Sequence, residues 1–333
     1  MKTNKNQTSD TSNTNTCGNT DPSASLQQEL SGQAGHPLVQ NGHSLDIGEK
    51  YGVKEQITRM FRQNPLAIAS GLVILLIILL ALAAPMIAPY KEAQQDLTQR
   101  LQPPSAAHLF GTDQLGRDVF TRILYGARVS LLIGIVPSAI SLAIGIILGL
   151  AAGYYGGWLD YLIMRIADVM LSIPSLLLSM VIMFTLGRYA NSVLCIFAAL
   201  SIVGWASVSR VVRSQTLSLK ESAYVEAAMS IGVSRPMIMF RHILPNCIPS
   251  LIVLYTLNVP SCILSESTLS FLGIGIQPPA ASWGLMVNQC KEFLFSMPWL
   301  ALAPCITIMI IVLAFNFLGD GLRDVLDPYL QTR

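Results

Sequence analysis

The feature that most constrains the fold is a set of long apolar segments separated by short polar stretches. A bilayer hydrocarbon core about 30 Å thick takes about 20 helical residues to cross. Because lipid offers no hydrogen-bond partners to the backbone, segments this continuously apolar are expected to span it as helices. Six segments approach or exceed the required length: 66–90, 129–158, 161–186, 189–209, 247–271 and 293–319.

The composition supports a membrane location for these segments. Hydrophobic residues make up 52% of the 333 residues and charged residues only 12%, whereas soluble domains carry about 25% charged residues. A chain so poor in charge could not cover a soluble core with polar side chains, which argues against a soluble fold. The expected fold class is therefore an all-α membrane protein with six transmembrane helices. The net charge of +2 gives no electrostatic basis for binding nucleic acid.

The distribution of basic residues predicts the orientation of the chain in the membrane. With an even number of spans, both termini lie on one side of the bilayer. That side would hold about twice as many of the 21 Lys and Arg residues as the other. Since cytoplasmic loops carry an excess of Lys and Arg, both termini are predicted to be cytoplasmic.

The chain divides into regions of different composition. Residues 1–50 are rich in Ser, Thr, Asn and Gln, lack aromatic residues and are predicted to form a disordered cytoplasmic tail. Apolar residues at helical spacing, with Lys and Arg between them, predict an interfacial amphipathic helix at 51–64. The other expected regions are the first transmembrane helix at 65–90, an extracytoplasmic loop with a short helix at 91–128, a transmembrane core at 129–320 that contains a polar loop at 210–246, and a cytoplasmic C-terminus at 321–333.

The segment 112–128 is predicted to form a separate helix at the outer surface, ahead of the second long apolar segment. It follows two prolines and a glycine, which would end any preceding helix. Its spacing of four residues would pair Asp113 with Arg117 and Asp118 with Arg122.

Sequence patterns for common catalytic or metal sites are absent from this chain. No Gly-x-x-x-x-Gly-Lys-[Ser/Thr] loop is present, and there is no His-Glu-x-x-His or Cys-x-x-Cys pair. We therefore expect no nucleotide hydrolysis, no catalytic residues and no metal site in this chain. The six cysteines fall mostly in or beside the apolar segments, where a cysteine usually acts as a small apolar side chain.

Glu266 is the one carboxylate deep inside a long apolar segment. Two interpretations of it are open. An ionisable group within a membrane is costly, which makes Glu266 a candidate residue of a translocation pathway. Alternatively, it lies near the outer end of its span and is hydrogen-bonded locally. The neighbours that could bond it are Ser265, Ser267 and Thr268. Arg165 and Asp168, three residues apart, are predicted to form an ion pair at the inner boundary.

The polar loop between the fourth and fifth apolar segments is predicted to contain two short helices. Gly232 would end the first helix by adopting positive φ, and Ser234 and Pro236 suit the start of the second. Pro245 would end the second helix. One face of the first helix would carry Tyr224, Ala227, Ala228 and Ile231.

This loop resembles the cytoplasmic signature loop of permease subunits of ATP-binding-cassette importers. The match in residue type and spacing consists of Glu226, Ala227, Ala228, Gly232, Leu244 and Pro245. His242 stands where the signature often has an aliphatic residue, but the run 241–246 resembles the dipeptide, oligopeptide and nickel branch. Further matches to that branch, over roughly residues 60–330, are Gly111-Thr112-Asp113, Gly116-Arg117-Asp118, Tyr125-Gly126-Ala127-Arg128, Leu269-Ser270-Phe271-Leu272-Gly273 and Asp320-Gly321-Leu322-Arg323-Asp324.

The resemblance implies a type I importer permease fold and a set of partners. A second, homologous permease would complete the pathway, two ATPase subunits would lie beneath it, and an extracytoplasmic binding protein would deliver substrate. The loop would dock on an ATPase as a coupling helix, where Glu226 pairs with a basic residue, Ala227 and Ala228 allow close contact and Gly232 sets the turn. ATP and Mg²⁺ would be bound by the partner subunits, with no cofactor on this chain. The location implied is a bacterial or archaeal plasma membrane.

Several functions remain open from sequence alone. Di- or oligopeptides are the expected substrates, with nickel or another small solute as the alternative within the same importer class. An ion-coupled secondary transporter would favour several paired intramembrane charges and inverted repeats, whereas Glu266 is the single candidate. A membrane-embedded enzyme lacks support from any catalytic pair. A receptor or scaffold would differ from an importer in lacking ATPase subunits that co-purify with it.

Overall fold

The computed structural model describes residues 65–187 and 192–326. Within these ranges the regular structure is helical, and the one β feature is an isolated bridge between Thr112 and Asp118. The predicted tail at 1–50 and interfacial helix at 51–64 lie outside the described residues. The expected all-α class is thus confirmed for the part of the chain that the structure describes.

The described chain contains eleven α-helices, five of which are 12 residues long or shorter. In chain order they are α1 Pro65–Leu82, α2 Ala84–Ile87, α3 Val119–Tyr155, α4 Gly157–Ser172, α5 Ser175–Leu186, α6 Ser192–Lys220, α7 Ala223–Ser230, α8 Arg235–Met237, α9 Leu244–Phe271, α10 Trp283–Cys290 and α11 Pro298–Leu326. A π-helix, Ile238–Ile243, joins α8 to α9, and 3₁₀ turns lie at Leu97–Gln99 and Lys291–Phe293.

The long helices supply the expected spans. Five stretches are long and apolar enough to cross a membrane, namely α1, α3, α6, the continuous helix Arg235–Phe271 and α11. The pair α4 and α5 is together long and apolar enough for one more span, although its two helices meet at an angle of 95°; the structure has six spans if this bent pair counts as one. Ile173, between them, is extended with φ −94° and ψ 132°. The proline at 174 disfavours helical backbone at the residue before it, so the predicted single helix over 161–186 is broken there.

The prediction of a separate surface helix at 112–128 is wrong. Residues 112–118 form a tight loop, and α3 begins at Val119 and continues for 37 residues. The side chain of Asp118 accepts a hydrogen bond from Thr121 N at 2.7 Å and so caps the helix. Because no helix-breaking residue separates the polar segment from the apolar one, the two form a single helix.

Other helix ends also differ from the predicted ones. The first span is shorter than 65–90, since α1 ends at Leu82 and α2 ends at Ile87 before Pro89. The fourth span is longer, because α6 runs to Lys220 and shortens the polar loop predicted at 210–246. Two arginines in its second half are paired with carboxylates of α4, since Arg210 pairs with Asp168 and Arg213 Nε donates to Asp160 Oδ1 at 2.5 Å. Likewise α11 continues to Leu326, past the predicted boundary at 320.

The packing of α3 against α6 holds the centre of the bundle together. Glycines at a spacing of four residues on α3 face this contact, and a Cβ on Gly149 would lie 2.7 Å from Ser209 O. Small residues allow two helices to approach closely in a membrane, where packing rather than water exclusion stabilises the contact. The glycines are Gly145, Gly149 and Gly153. This contact extends along α3 toward the polar loop that follows α6.

Candidate coupling loop and the polar cluster at the opposite end

The candidate functional site is the α6–α9 loop, which we define as residues 221–243. It is fixed to the bundle at its start, because Lys220 Nζ donates to Tyr154 O at 2.8 Å near the end of α3. The same ammonium lies 5.5 Å from the centre of the Tyr154 ring. The loop therefore leaves the bundle from a rigid position.

Helix α7 packs on the bundle through one face and exposes the other. Val225 and Ala228 are buried in a cluster with Val212 of α6 and with Ile243. Glu226 and Ala227 are exposed. Successive residues of an α-helix lie about 100° apart, so Ala227 and Ala228 do not share the outward face that the sequence pattern predicted. Ala228 instead allows α7 to approach its own span closely.

Gly232 ends α7 with φ +80°. Its N–H donates to Met229 O at 3.0 Å, and Val233 N donates to Ala228 O at 3.1 Å. A Cβ at this position would meet nothing within 4 Å. The requirement for glycine therefore comes from the backbone conformation, as predicted, and not from crowding.

The second half of the loop leads directly into the fifth span. After Ser234, α8 passes into the π-helix, which is followed without a break by α9. Leu244 is half-buried and Pro245 is exposed. The prediction that Pro245 ends the helix is wrong, because the helical backbone continues from the π-helix through Pro245 into α9. The loop and the span are thus one continuous helical rod from Arg235 to Phe271.

The outward surface of the loop carries exposed apolar side chains, together with charged groups that have no ion-pair partner in the described chain. Among residues 65–187 and 192–326, no ion pair includes Glu226, Arg235 or Arg241. Ile231 is 81% exposed. The other large apolar side chains exposed on this loop are Tyr224, Met229, Met237 and Phe240. Such a surface has no evident chemistry of its own and suits contact with another protein.

The opposite end of α3 holds a polar cluster formed by Asp113, Arg117, Arg122 and Gln289, all but Gln289 buried. Asp113 Oδ2 accepts from Arg117 Nε and from Arg122 Nη1, both at 2.7 Å. Gln289 Oε1 accepts from the same two arginines at 3.0 and 2.9 Å. The predicted Asp113–Arg117 pair is present. The predicted Asp118–Arg122 pair is wrong, because Arg122 is used by Asp113.

Asp118 makes a different set of contacts in the same region. Its carboxylate lies 3.0 Å from His108 Nδ1, and His108 Nε2 lies 2.8 Å from Gln99 Oε1. Tyr90 stacks on the histidine ring with centroids 4.9 Å apart. Nearby, the hydroxyl and amide of Thr98 hold the pKa of Asp96 below its usual value.

The other residues of the predicted extracytoplasmic motif shape the loop backbone. Gly111 and Gly116 have φ of +74° and +69°. A Cβ on Gly116 would lie 1.8 Å from Asp96 O, so no larger residue fits. Thr112 is buried, and its hydroxyl donates to Gln99 O and accepts from Gln102 N at 2.8 Å. The motif therefore builds a rigid segment that ends at the cap of α3.

Glu266 lies fully inside the chain, with 0% of its surface exposed. Its Oε1 accepts from Ser270 Oγ at 2.6 Å and from Ser282 Oγ at 2.8 Å. The expected local hydrogen bonding is present, with Ser270 and Ser282 as the donors. The predicted Arg165–Asp168 pair forms at 3.8 Å, and Arg210 joins it.

Sequence reasoning missed the residues of α10. Gln289 and Trp283 bond residues more than 150 positions away, and Ser282 bonds Glu266. No local sequence pattern predicts these contacts. Burial raises the pKa of the Cys290 thiol at the end of this helix to about 11. Among the described residues, no group of three or more His, Cys, Asp or Glu side chains is placed to hold a metal ion.

Comparison with protein families gives two matches. Residues 145–332 match the family described as the binding-protein-dependent transport system inner membrane component. Residues 55–104 match the N-terminal transmembrane domain of oligopeptide transport permease C. The first match includes the α6–α9 loop and α10, and the second includes α1.

Relatives with assigned names are similar over most of the chain. The dipeptide transport system permease protein DppC of Alkalihalophilus pseudofirmus is 44% identical over 274 residues, which cover 82% of this chain and 89% of that protein. The oligopeptide transport system permease protein OppC of Bacillus subtilis is 42% identical over 81% of this chain and 88% of that protein. The glutathione transport system permease protein GsiD of Escherichia coli is 44% identical over 82% and 89%. This chain is therefore a multi-pass membrane protein that belongs to the family of binding-protein-dependent transport system inner membrane components.

Proposed function

We propose that this chain forms half of the translocation pathway of an ATP-driven importer of di- or oligopeptides. The relatives named above are similar over most of the chain, and their names refer to dipeptide, oligopeptide and glutathione transport, which favours short peptides as substrates. In this proposal a second permease completes the pathway, and an extracytoplasmic binding protein supplies the peptide. The chain itself is not an enzyme.

The α6–α9 loop carries this proposal. Glu226, Ala227 and Ile231 are exposed on a helix whose opposite face is buried in its own bundle. We place this surface in the cytoplasm, together with both termini, and assign it as the docking site for one of two ATPase subunits. Those subunits bind ATP and Mg²⁺, and Glu226 pairs with a basic side chain of the ATPase.

The packing of α7 suggests how motion would reach the membrane. ATP drives a cycle only if it binds outward- and inward-facing states with different affinities. When the ATPase subunits close, the docked α7 moves with them. Because Val225 packs with Val212 of α6 and with Ile243 before α9, the displacement is transmitted to both spans. The continuous helix Arg235–Phe271 then carries it to the far end of the pathway.

The proposal is tested by peptide uptake in proteoliposomes that contain the assembled transporter. With ion gradients collapsed and ATP supplied, labelled dipeptide should accumulate. Glu226→Lys and Gly232→Pro should each reduce uptake about tenfold or more, without loss of the protein from the membrane. Glu221→Lys is the matched control, since it makes the same charge change at an exposed residue of the same loop, and it should transport normally.

Two results would overturn the proposal. Normal uptake by either Glu226→Lys or Gly232→Pro, at normal abundance, would remove the assignment of the loop. Uptake that stops when ion gradients collapse, with ATP still present, would identify an ion-coupled transporter. The substrate is tested by adding unlabelled dipeptide or nickel as a competitor of labelled dipeptide. Only the unlabelled dipeptide should reduce uptake of the label.

A further inference from the structure

Helix α10 is fixed tightly at the end of the bundle opposite the α6–α9 loop. Trp283 is fully buried, and its Nε1 donates to Ile123 O of α3 at 3.1 Å. Trp283 N donates to Ser130 Oγ of α3 at 3.2 Å. A Cβ on Gly284 would lie 2.5 Å from the Cα of Ser267 on α9, so α10 also contacts that span closely. At its other end, Gln289 belongs to the polar cluster.

One carboxylate oxygen orients the segment that leads into α10. Ser282 Oγ donates to Glu266 Oε1 at 2.8 Å and accepts from Leu285 N at 3.2 Å, which caps the first turn of α10. Ser270 Oγ donates to the same oxygen at 2.6 Å and accepts from Ile276 N at 3.0 Å. Each hydroxyl therefore bonds a backbone amide on one side and Glu266 on the other.

This arrangement argues against contact between Glu266 and a transported solute. The side chain is 0% exposed within a single chain. Among the described residues, no Lys, Arg or His forms an ion pair with it. Its Oε1 already accepts two hydroxyl groups, and its Oε2 is buried out of reach of solvent. A residue that binds a passing peptide needs an accessible polar group, whereas a residue that fixes a neighbouring helix needs the burial and the occupied acceptor seen here.

We propose that Glu266 is a positioning residue that fixes α10 between α3 and α9 through Ser282 and Ser270, and that it does not contact the transported solute. What α10 does in transport rests on the proposed function, in which it lies at the outer end of the pathway. The contribution of Glu266 is acceptance of two hydrogen bonds, for which a negative charge is not required.

The test measures the exposure of Cys290, a buried residue at the end of α10. The assembled transporter is prepared in native membranes with Cys290 as the only cysteine of this chain, and its rate of labelling by a maleimide is recorded. Glu266→Ala removes both acceptor contacts, so labelling should accelerate about tenfold. Ser282→Ala removes one contact and the helix cap, and should accelerate labelling about threefold. Glu266→Gln keeps an acceptor oxygen and should label at the rate of the parent.

Peptide uptake by the same variants in the natural cysteine background separates the two roles. Glu266→Gln should import within about twofold of the parent, because positioning survives, while Glu266→Ala should lose most of its uptake. Ser261→Ala is the control that should change neither readout, because the Ser261 hydroxyl on α9 donates to Leu257 O of its own helix.

Each alternative outcome is decisive. Loss of uptake by Glu266→Gln with unchanged labelling would make Glu266 a pathway residue and overturn the inference. Unchanged labelling in Ser282→Ala and Glu266→Ala would also overturn it, and Ser282→Ala alone decides this if Glu266→Ala does not accumulate. If no variant or parent imports peptides, the proposed function fails, yet the labelling rates still decide the position of Glu266.

Discussion

Charged side chains near the two ends of α3 differ in burial and in ion pairing. At one end Asp113, Arg117 and Arg122 are buried and bonded to one another and to Gln289. At the other end the α6–α9 loop exposes Glu226, with no ion-pair partner in the described chain. The first end is completed within the chain itself, whereas the second leaves its charged and apolar groups available to another protein.

The difference predicts opposite consequences for mutations at the two ends. Removal of one member of a buried ionic group leaves an uncompensated charge and destabilises the fold. An exposed residue away from such groups changes stability by at most about 0.5 kcal/mol. Mutations in the polar cluster should therefore lower abundance, and mutations in the loop should lower transport at normal abundance.

The largest effect is expected for Asp113→Asn. The two buried arginines would lose their shared carboxylate, so the free energy of unfolding should fall by about 4 kcal/mol. Thermal unfolding of the purified transporter and its abundance in membranes measure this. Asp168→Asn is the control, because its ion pairs are exposed and should contribute less than about 1 kcal/mol. Equal losses from the two variants would contradict the contrast between buried and exposed pairs.

The same substitution at two glycines sharpens the comparison. Gly116→Ala combines positive φ with a clash against Asp96 O and should cost about 3 kcal/mol. Gly232→Ala has positive φ but free space around its Cβ, and should cost about 1 kcal/mol. Unfolding temperatures of the two variants should therefore differ clearly. A larger loss at Gly232 would show that the loop is more constrained than its open surroundings indicate.

Ile231→Ser tests the exposed surface of the loop. Because Ile231 is 81% exposed, the unfolding temperature should not change. Association with the ATPase subunits should weaken about fivefold, since an apolar contact at an interface contributes about 1 kcal/mol. Phe295→Ser, 97% exposed beyond α10, is the matched change at the other end and should leave that association intact. Loss of association in both variants would point to a general effect on assembly.

The smallest effect concerns the pH dependence of the rate at which the Cys290 thiol is alkylated. Burial raises the pKa of its thiol to about 11 from an ordinary value of 9.0. The thiolate is the reactive form, so in a variant with Cys290 as the only cysteine, alkylation should keep accelerating up to about pH 11. In detergent-unfolded protein the midpoint should return to about 9. A midpoint near 9 in the folded transporter would show that Cys290 is open to water.

Local patterns predicted part of this structure. Hydropathy located the spans, and Gly232 was identified correctly as the end of α7 because its role depends on backbone conformation alone. The bend at 173–174 was missed, although the proline at 174 carries the information. The continuity of α3 does not follow from the pattern, because a polar turn followed by an apolar run also fits two separate helices.

Contacts between distant residues could not be predicted from one sequence. Arg117 and Gln289 are separated by 172 positions, and nothing near either residue specifies the pairing. The orientation of Ala228 toward its own bundle depends on how α7 lies against Val212 and Ile243. Both features are set by the packing of helices against one another, which local propensity does not determine.

Cross-linking from adjacent positions of α7 tests the central claim most directly. Ala227 is exposed and Ala228 is buried, so a cysteine at each position samples opposite faces of one helix. In membranes that contain the assembled transporter, Ala227→Cys carrying a thiol-linked photoreactive group should capture an ATPase subunit, and Ala228→Cys should not. Failure of Ala227→Cys to capture an ATPase in a transporter that still imports peptide would contradict the account.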